Sequence, residues 1–584
     1  MPIKTVFIGN KCILYLRSDE QLWDSKEKFL ASDFFKELIT RYIAQLAENE
    51  DDELLQIFDG KISDKKIEQL INVFQLLSIF CMKQVKTTCP GLVGFLKYPE
   101  ILNDFVEGFY NFWRKFERFL VCNGKNISAP KVASSSSFKK MLDGFNDTFR
   151  ESYRDIQAHI TGHYPTGYRQ VCAGVQIGVK TSQINWPCPE EYKFLASIPM
   201  MREPVMYPTI VFDPPMNKRT GQFQKVERNP LRNWNDFSSN GLVGYPAKVG
   251  DLSVYIFFPE MFMELGFSLE NLFELVDYEE IITKQPDAIY VYGTPPKLLK
   301  EYDLPTVFFD DEKNNILVGA VPASPEFGYF GYLKKMDLTL HNIIKMKRGI
   351  LPFHGALVQI PRKKRKRPLN ALIIGKTGAG KSETLEALRS FGIIQKIIAD
   401  DMGSLQIVDN KILGYGTEIG AFVRLDDLKP GYIFEDQIDR AIIMNPSKVN
   451  SRALIPITTL AKINKGVPVD IILYANNYEN IDKEHPIIEN FHSTSQALKI
   501  FNQGRSLPKG TTDDQEVNDV YFANPFGAVQ YRDLHEKLAK QFFEQAFENK
   551  IFVGQIRTRL GLKGMESKGP EEAAKALLEL ISKQ

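Results

Sequence analysis

Ala371-Leu372-Ile373-Ile374-Gly375-Lys376-Thr377-Gly378-Ala379-Gly380-Lys381-Ser382 runs from four apolar residues into three glycines and a Lys-Ser pair. The apolar residues read as a buried strand. The glycines let the backbone curl until successive N–H groups point inward, the geometry that phosphate oxygens require. Beyond Ser382 the spacing predicts a helix to about Arg389, with Leu385 and Leu388 on one face and Gly392 as its stop. The start of such a helix adds a partial positive charge. The stretch matches G-x-x-x-x-G-K-[ST] in full. Gly375, Lys376, Thr377, Gly378, Ala379, Gly380, Lys381, Ser382 and Glu383 are therefore expected to hold a nucleoside triphosphate, ATP or GTP. Lys381 would be a mobile, exposed cation for the β and γ phosphates, and Ser382 would offer a hydroxyl to Mg2+ or Mn2+.

A second element lies shortly after. Ile397-Ile398-Ala399-Asp400-Asp401 is an apolar strand ending in two carboxylates. Strand ends sit at the carboxyl edge of an open α/β sheet, where ligands bind. One of Asp400 and Asp401 can hold the metal directly, while the other acts through water or as a base.

Outward from this core, residues 328–584 alternate strands (371–374, 396–399, 470–475, 551–553) with amphipathic helices (534–547, 571–581), a nucleotide-fold pattern. Residues 164–327 carry short β-branched runs (207–212, 252–258, 288–292, 306–309) between Pro and Gly breaks, and read as a mixed α/β domain, a candidate substrate domain. Residues 1–163 are expected to be mostly helical. Phe34, Leu38, Ile39 and Tyr42 recur at helical spacing, as do Phe105, Phe109, Phe112 and Phe116. Ile71, Phe74 and Ile79 suit another buried helix face, and the serine run 134–137 reads as a linker. His159 and His163, four apart, could share a helix face as metal ligands, but Thr161 and Gly162 weaken that helix and two solvated histidines are the plainer reading. The fold class expected is α/β: a C-terminal nucleotide-binding domain, a mixed middle domain and a helical N-terminal region.

The 584 residues are 43% hydrophobic and 25% charged, which excludes a disordered or fibrous chain. With 73 Lys and Arg against 72 Asp and Glu, the net charge of +1 gives no global attraction to nucleic acid or to an anionic membrane. The six cysteines are scattered with no Cys-x-x-Cys pair, as reduced cytosolic thiols are. No signal-peptide pattern opens the chain, and the longest apolar stretch, 70–82, is too short to span a bilayer. A cytoplasmic protein is expected. One local patch departs from the even charge: the six basic residues 362–367, which read as a solvated hairpin tip close to the active site.

His354-Gly355-Ala356-Leu357-Val358, then the Gly-Lys-Ser-Glu of 380–383, then Ala399-Asp400-Asp401 resemble, in this order, bacterial HPr kinase/phosphorylase. The same segment resembles phosphoenolpyruvate carboxykinase, in which a Lys-Lys pair precedes the histidine by about twenty residues. Lys334-Lys335 stand in that position here. Asn450-Ser451-Arg452 is similar to the Asn-x-Arg of the carboxykinases, and Gly510-Thr511 and Asn524-Pro525-Phe526-Gly527 to their later turns. The resemblance spans about 328–584.

It implies that Lys335 and His354 join Asp401 around a manganese ion, with lysine as a neutral ligand. It also implies that Arg452 reaches the γ-phosphate, with Arg424 and Arg440 as alternatives, and that Lys334 contacts an anionic substrate. The catalytic set is then Lys381, Arg452, Asp400 and Lys334, and the metal set Ser382, Asp401, Asp400, His354 and Lys335. One departure matters. The Gly-Arg-Ser-Pro-Lys segment whose arginine holds the dicarboxylate in carboxykinases is missing, so straightforward oxaloacetate decarboxylation is not expected. Arg202, Arg219 and Arg228 are the candidates to replace it, each read as a surface residue.

The activity expected is an ATP- or GTP-dependent, metal-dependent phosphotransferase acting on a small anionic metabolite. Three alternatives stand beside it: a phosphoenolpyruvate carboxykinase, a protein-serine kinase of the HPr kinase type, for which Glu383 speaks, and a nucleotide-binding sensor or scaffold with little turnover.

Overall fold

The computed structural model of the chain describes every residue except 1–2, 18–19, 50–51, 59, 125–131, 235–236, 240, 363–364, 394–395, 429–433, 508–515 and 584. The chain is mixed α/β with large mixed sheets. No helix among the described residues is long and apolar enough to cross a membrane. Contacts divide it into two compact units, Met1–Gln183 with Pro199–Thr209, and Ile184–Ile198 with Ile210–Gln584. The sequence reading had three segments; residues 210–327 belong to the same compact unit as the glycine-rich segment.

In the first unit the strands Lys4–Ile8, Lys11–Arg17, Glu117–Gly124, Ile177–Ser182 and Met200–Met206 are neighbours in that order. The two central pairings are parallel and the outer two antiparallel. Parallel neighbours need long crossovers, and these carry the helices. Asp33–Glu48 and Asp64–Leu77 start where Ser32 and Ser63 accept a hydrogen bond from the third residue on. Pro99–Lys115 starts on a proline, which lacks the N–H that a first turn leaves unpaired anyway. Val132–Thr161 completes the set.

Most of the positions expected on helix faces fill the core: Phe34, Leu38, Ile39, Tyr42, Phe105 and Phe109 are buried, whereas Phe112 is only partly buried and Phe116 is a partly buried residue just past the end of Pro99–Lys115. Trp113 stacks on Phe149 at 5.4 Å. Trp113 also donates from its indole nitrogen to the Ala173 carbonyl at 2.6 Å, satisfying its one polar atom in the core.

The N-terminal region is mostly helical, as expected, and among its described residues it adds three strands, two of which read as apolar runs because both sheet faces are covered. Three expectations for this region are corrected. Residues 134–137 are not a linker but lie in the first turns of the helix Val132–Thr161. Ile79 falls beyond the end of Asp64–Leu77 and is exposed, whereas Ile71 and Phe74 are buried. His159 and His163 do not share a helix face: the helix ends at Thr161, and the Nδ1 of His159 is engaged by the Leu77 carbonyl at 2.6 Å.

The second unit contains one sheet with the neighbour order Leu242–Val249, Leu252–Pro259, Ala288–Thr294, Ile316–Pro322, Val307–Asp311 and Gln224–Val226. Of the run expected at 207–212, only Ile210–Phe212 is a strand of this unit, and it joins a small sheet with Ile442–Met444, Arg452–Pro456 and Gly420–Arg424. A larger sheet positions the candidate site. Its central strands are Met402–Val408, Leu351–Arg362, Arg365–Ile374, Ile471–Asn476 and Phe552–Arg557, in that order, and Lys396–Ala399 pairs with Leu351–Arg362. The helices Lys381–Ser390 and Lys568–Lys583 cover it, burying Leu385, Leu388, Ala574 and Leu577 against Ile373, Leu473 and Ile556.

Leu351–Arg362 and Arg365–Ile374 form an antiparallel hairpin with the basic run at its turn. Lys363 and Lys364 lie outside the described residues. The described start of the basic run is not close to the site: Arg362 stands seven residues along the strand from Gly355, about 23 Å at about 3.3 Å per residue.

Candidate active site

The strand Arg365–Ile374 lies between Leu351–Arg362 and Ile471–Asn476, and Ala371, Leu372, Ile373 and Ile374 are all buried. It runs into the loop 375–380, and the helix Lys381–Ser390 follows at once. Gly378 and Gly380 have φ of +82° and +88°, in the left-handed region that favours glycine. The loop is pinned from behind by the ends of neighbouring strands. Thr558 donates to the Ala379 carbonyl at 2.8 Å and Asn477 to the Gly378 carbonyl at 3.0 Å. No side chain caps the start of the helix, so its first N–H groups are not taken up by one.

Lys381 is buried rather than exposed, at 6%. Its ammonium folds back over the loop to the carbonyls of Gly375 at 2.6 Å and Lys376 at 2.9 Å, and burial holds its pKa below the usual lysine value. Lys376 reaches Asn518. Thr377 and Ser382 are exposed, and Glu383 is half-buried in the first helical turn.

A Cβ added at Gly380 would meet Thr558 at 2.6 Å, on top of the unfavourable φ. Gly380→Ala is therefore expected to weaken triphosphate binding at least tenfold. Gly392→Ala is the control, with a left-handed φ of +77° and nothing within 4 Å. Equal affinity of both variants by calorimetry would separate the loop from phosphate binding.

A cluster of charges adjoins this loop. The His354 carbonyl accepts from the Gly375 N–H at 3.0 Å, and the Gly355 N–H donates to the Asp401 carbonyl at 2.9 Å. Three side chains meet on the Asp401 carboxylate: Lys335 at 2.5 Å, Lys334 at 3.0 Å and His354 Nε2 at 2.9 Å. Lys334 and Lys335 come from the buried helix Phe330–Lys347, His354 from the strand Leu351–Arg362, and Asp401 from the end of Lys396–Ala399.

Glu418, which no sequence motif marked, closes the cluster through an ion pair with Lys334 at 2.8 Å. Burial works against the Lys334 charge, but Asp401 and Glu418 outweigh it and hold the ammonium above its usual value. Lys335 goes the other way: burial lowers it, against the pull of Asp401, and Lys334 adds to the lowering. Burial would raise Asp401; the two lysines overcome this and keep its carboxyl well below the usual range. Asp400 is pushed up to about 6 by burial and by Asp401 beside it. Glu418 is pushed up to about 7, mainly by burial.

His354 bears on metal binding. Its Nδ1 faces the Ala523 carbonyl at 2.6 Å and can only donate to it. A neutral ring then turns its Nε2 lone pair toward a carboxylate oxygen 2.9 Å away, which also only accepts. Two such acceptors need a proton or a cation between them. Burial keeps the imidazole below its usual pKa despite Asp401. His354, Asp401 and the depressed Lys335 can therefore offer lone pairs to one ion, with Ser382 as an exposed hydroxyl nearby in sequence to the loop. Among the described residues no group of three or more His, Cys, Asp or Glu side chains is placed to hold a metal. The set depends on the lysine. The partner carbonyl sits on strained backbone, since Phe522 and Ala523 have φ of 54° and 52° without being glycine.

Two aromatic rings extend the cluster, and motif reading found no role for either. Phe422 lies 6.0 Å from the Lys334 ammonium and 5.5 Å from the Arg452 guanidinium, so it connects those two residues. Arg452 is also held by Asn450 at 2.7 Å. The alternatives are engaged otherwise: Arg424 binds Asp426 at 2.9 Å, and Arg440 is exposed beside Asp439.

Phe526 lies 4.7 Å from the Lys335 ammonium, 5.7 Å from the Arg219 guanidinium and 6.1 Å from the His354 ring. Arg219 is thus not the surface residue expected; it is half-buried, on Phe526 and on Phe223 at 5.0 Å. Arg228 is exposed, and Arg202 belongs to the first unit. Gly510 and Thr511 lie outside the described residues. Neither a protein-family model nor a curated protein matches this chain.

Proposed function

We propose that this protein is an ATP- or GTP-dependent phosphotransferase that uses Mg2+ or Mn2+ and acts on a small anionic metabolite. Residues 328–584 would be its P-loop nucleotide-binding domain, of carboxykinase type. The observation that carries the proposal is the meeting of Lys335 and His354 on Asp401, beside a glycine loop crossed by Lys381.

In this reading the loop N–H groups and Lys381 take the β and γ phosphates, Lys381 leaving the two loop carbonyls for the ligand. Arg452, steadied on Phe422, faces charge that develops during transfer. Lys334, an ammonium anchored by Glu418, attracts the anionic acceptor. Asp400, near pKa 6, has the basicity to take a proton from an acceptor hydroxyl at neutral pH. A divalent ion held by Asp401, His354, Lys335 and Ser382 would neutralise charge on the transferring group. Catalysis is then positioning and charge neutralisation.

Incubation with γ-labelled ATP or GTP, each metal, a metabolite pool and a cell lysate tests this. Label is expected in a small acid-soluble anion and absent with Lys381→Met. Label in a protein serine would favour the HPr kinase type, and triphosphate binding without transfer a sensor.

A second reading is favoured by one observation. Arg219 shares the Phe526 ring with Lys335, which gives a carboxykinase a candidate for the carboxylate-binding arginine missing from its usual segment. A coupled assay with oxaloacetate, Mn2+ and ATP or GTP decides. Phosphoenolpyruvate formation at about 1 per second or faster, an ordinary enzymatic turnover, promotes this reading. In that case Arg219→Lys should raise KM more than it lowers kcat.

A further inference from the structure

Arg219 and Arg452 stand at the same end of one small sheet. Ile210–Phe212 pairs in parallel with Ile442–Met444, Phe212 opposite Met444. Parallel neighbours release their chains at the same edge, so the loops 213–223 and 445–451 leave side by side. The first carries Arg219. The second leads into Arg452–Pro456, which returns with Arg452 opposite Met444.

The two loops are joined along their length. The Asn445 N–H donates to the Phe212 carbonyl at 2.9 Å, and its side-chain amide donates to the Met216 carbonyl at 3.1 Å. Lys448 donates to the Pro214 carbonyl at 3.0 Å. Asn217 Nδ2 donates to the Val449 carbonyl at 2.6 Å, and Asn450 Nδ2 to the Asn217 carbonyl at 2.6 Å.

The last of these bonds has a consequence for the site, because the other end of the same amide is also used. Asn450 Oδ1 accepts from the Arg452 guanidinium at 2.7 Å. A carbonyl can only accept and a guanidinium can only donate, so the two partners fix which way the amide points. One planar group joins Arg452 to the loop of Arg219. Asn450 has a φ of +63°, in the left-handed region that asparagine enters more readily than most residues.

The Arg219 end is held too. Arg219 rests on Phe223 and Phe526. Beside it, the Thr220 N–H donates to the Tyr332 hydroxyl at 3.0 Å, and the Thr220 carbonyl accepts from that hydroxyl at 3.2 Å. Tyr332 lies on the helix Phe330–Lys347, two residues before Lys334. The loop 213–223 is thus bound on one side to the helix of Lys334 and Lys335 and on the other to the chain that leads into Arg452.

We propose that Asn450 is a positioning residue that sets Arg452 in register with Arg219, so that an anionic acceptor held by Arg219 meets the phosphoryl group that Arg452 faces. The inference rests on the phosphotransfer proposed above and adds the link between its two arginines. Alignment of this kind is lost steeply, since a displacement of about 1 Å can cost about a hundredfold in rate.

Asn450→Asp supplies the test. It keeps an acceptor for Arg452 but turns a second acceptor on the Asn217 carbonyl, which breaks the link to the loop, and aspartate also enters the left-handed region. Label transfer from γ-labelled ATP with Mn2+ into a metabolite pool is followed on the full chain, at pool dilutions where the rate is proportional to the pool. Asn450→Asp and Arg219→Lys are each expected to lower that rate at least twentyfold, with ATP affinity within threefold of wild type. The double variant should lose no more than threefold beyond the slower single variant, because both changes break one alignment. An asparagine that only steadied its own loop would act independently, and the two losses would multiply. Should Asn450→Asp fail to fold, Asn450→Gly, which suits the same φ, should show the same non-additivity. Unchanged transfer in a folded Asn450 variant, or multiplied losses in the double variant, would overturn the positioning role while the proposed activity stands. No transfer by the wild-type chain would overturn the activity and this role together.

Discussion

Asp401→Asn is expected to destabilise the protein and to remove its metal affinity, by separate routes. The Lys334 and Lys335 ammonium groups and the His354 ring all lie within 3.0 Å of the Asp401 carboxylate. The lysine side chains are only 2% and 17% exposed. An amide in its place leaves two adjacent cations with Glu418 as their remaining acidic partner, and Glu418 is itself pushed up to about 7. Breaking a buried ion pair by removing one partner costs roughly 3–5 kcal/mol. Asp401 is 20% exposed, so the lower end, about 3 kcal/mol, is the expected loss. Its readout is chemical denaturation followed by a probe in the second unit. Mn2+ affinity, measured by calorimetry or electron spin resonance, should fall at least a hundredfold, since the one anionic ligand is gone. A folded variant that binds Mn2+ as wild type does would sink the metal site and leave the charge cluster as a structural device. Unchanged stability would show instead that the lysines do not depend on this carboxylate.

Lys381→Met should have the other large effect. The methionine keeps much of the apolar stem and removes the ammonium that crosses the loop. Triphosphate affinity is expected to fall at least a hundredfold, about 2.7 kcal/mol at 1.36 kcal/mol per decade, and transfer should vanish. Stability should change by only about 1 kcal/mol. The ammonium bonds two loop carbonyls, and the net worth of such bonds is modest where water can replace them. Equal triphosphate affinity in variant and wild type would remove the phosphate-binding role from the loop and with it the proposed activity.

Much of the local structure was legible in the chain. The apolar run 371–374 followed by three glycines predicts a strand, a curled loop and a helix, and the helix begins at Lys381 as the spacing requires. These features are set by backbone sterics and by residues close in sequence, so a short window contains them. Amphipathic periodicity located the aromatic core of the first unit for the same reason. The pairing of Lys335, His354 and Asp401 was reachable only through resemblance, because the three are brought together by a helix and two strands far apart in the chain.

What lies between elements could not be read from any window. Glu418 and Phe422 carry no motif, and Phe526 stands in a turn motif that gives it no role; they matter because packing sets them against Lys334, Lys335, Arg452 and Arg219. Lys381 appeared as an exposed cation because its sequence neighbours are small and polar, yet tertiary burial folds it onto the loop carbonyls. The shifted carboxyls of Asp400 and Glu418 have the same origin, since desolvation depends on what surrounds a group in space. By itself the sequence determined the periodic elements, the glycine-dependent turn and the residue types available for phosphate and metal chemistry. Tertiary structure alone decided which charges are buried and which rings they rest on, because these are sums over contacts between residues tens to hundreds of positions apart.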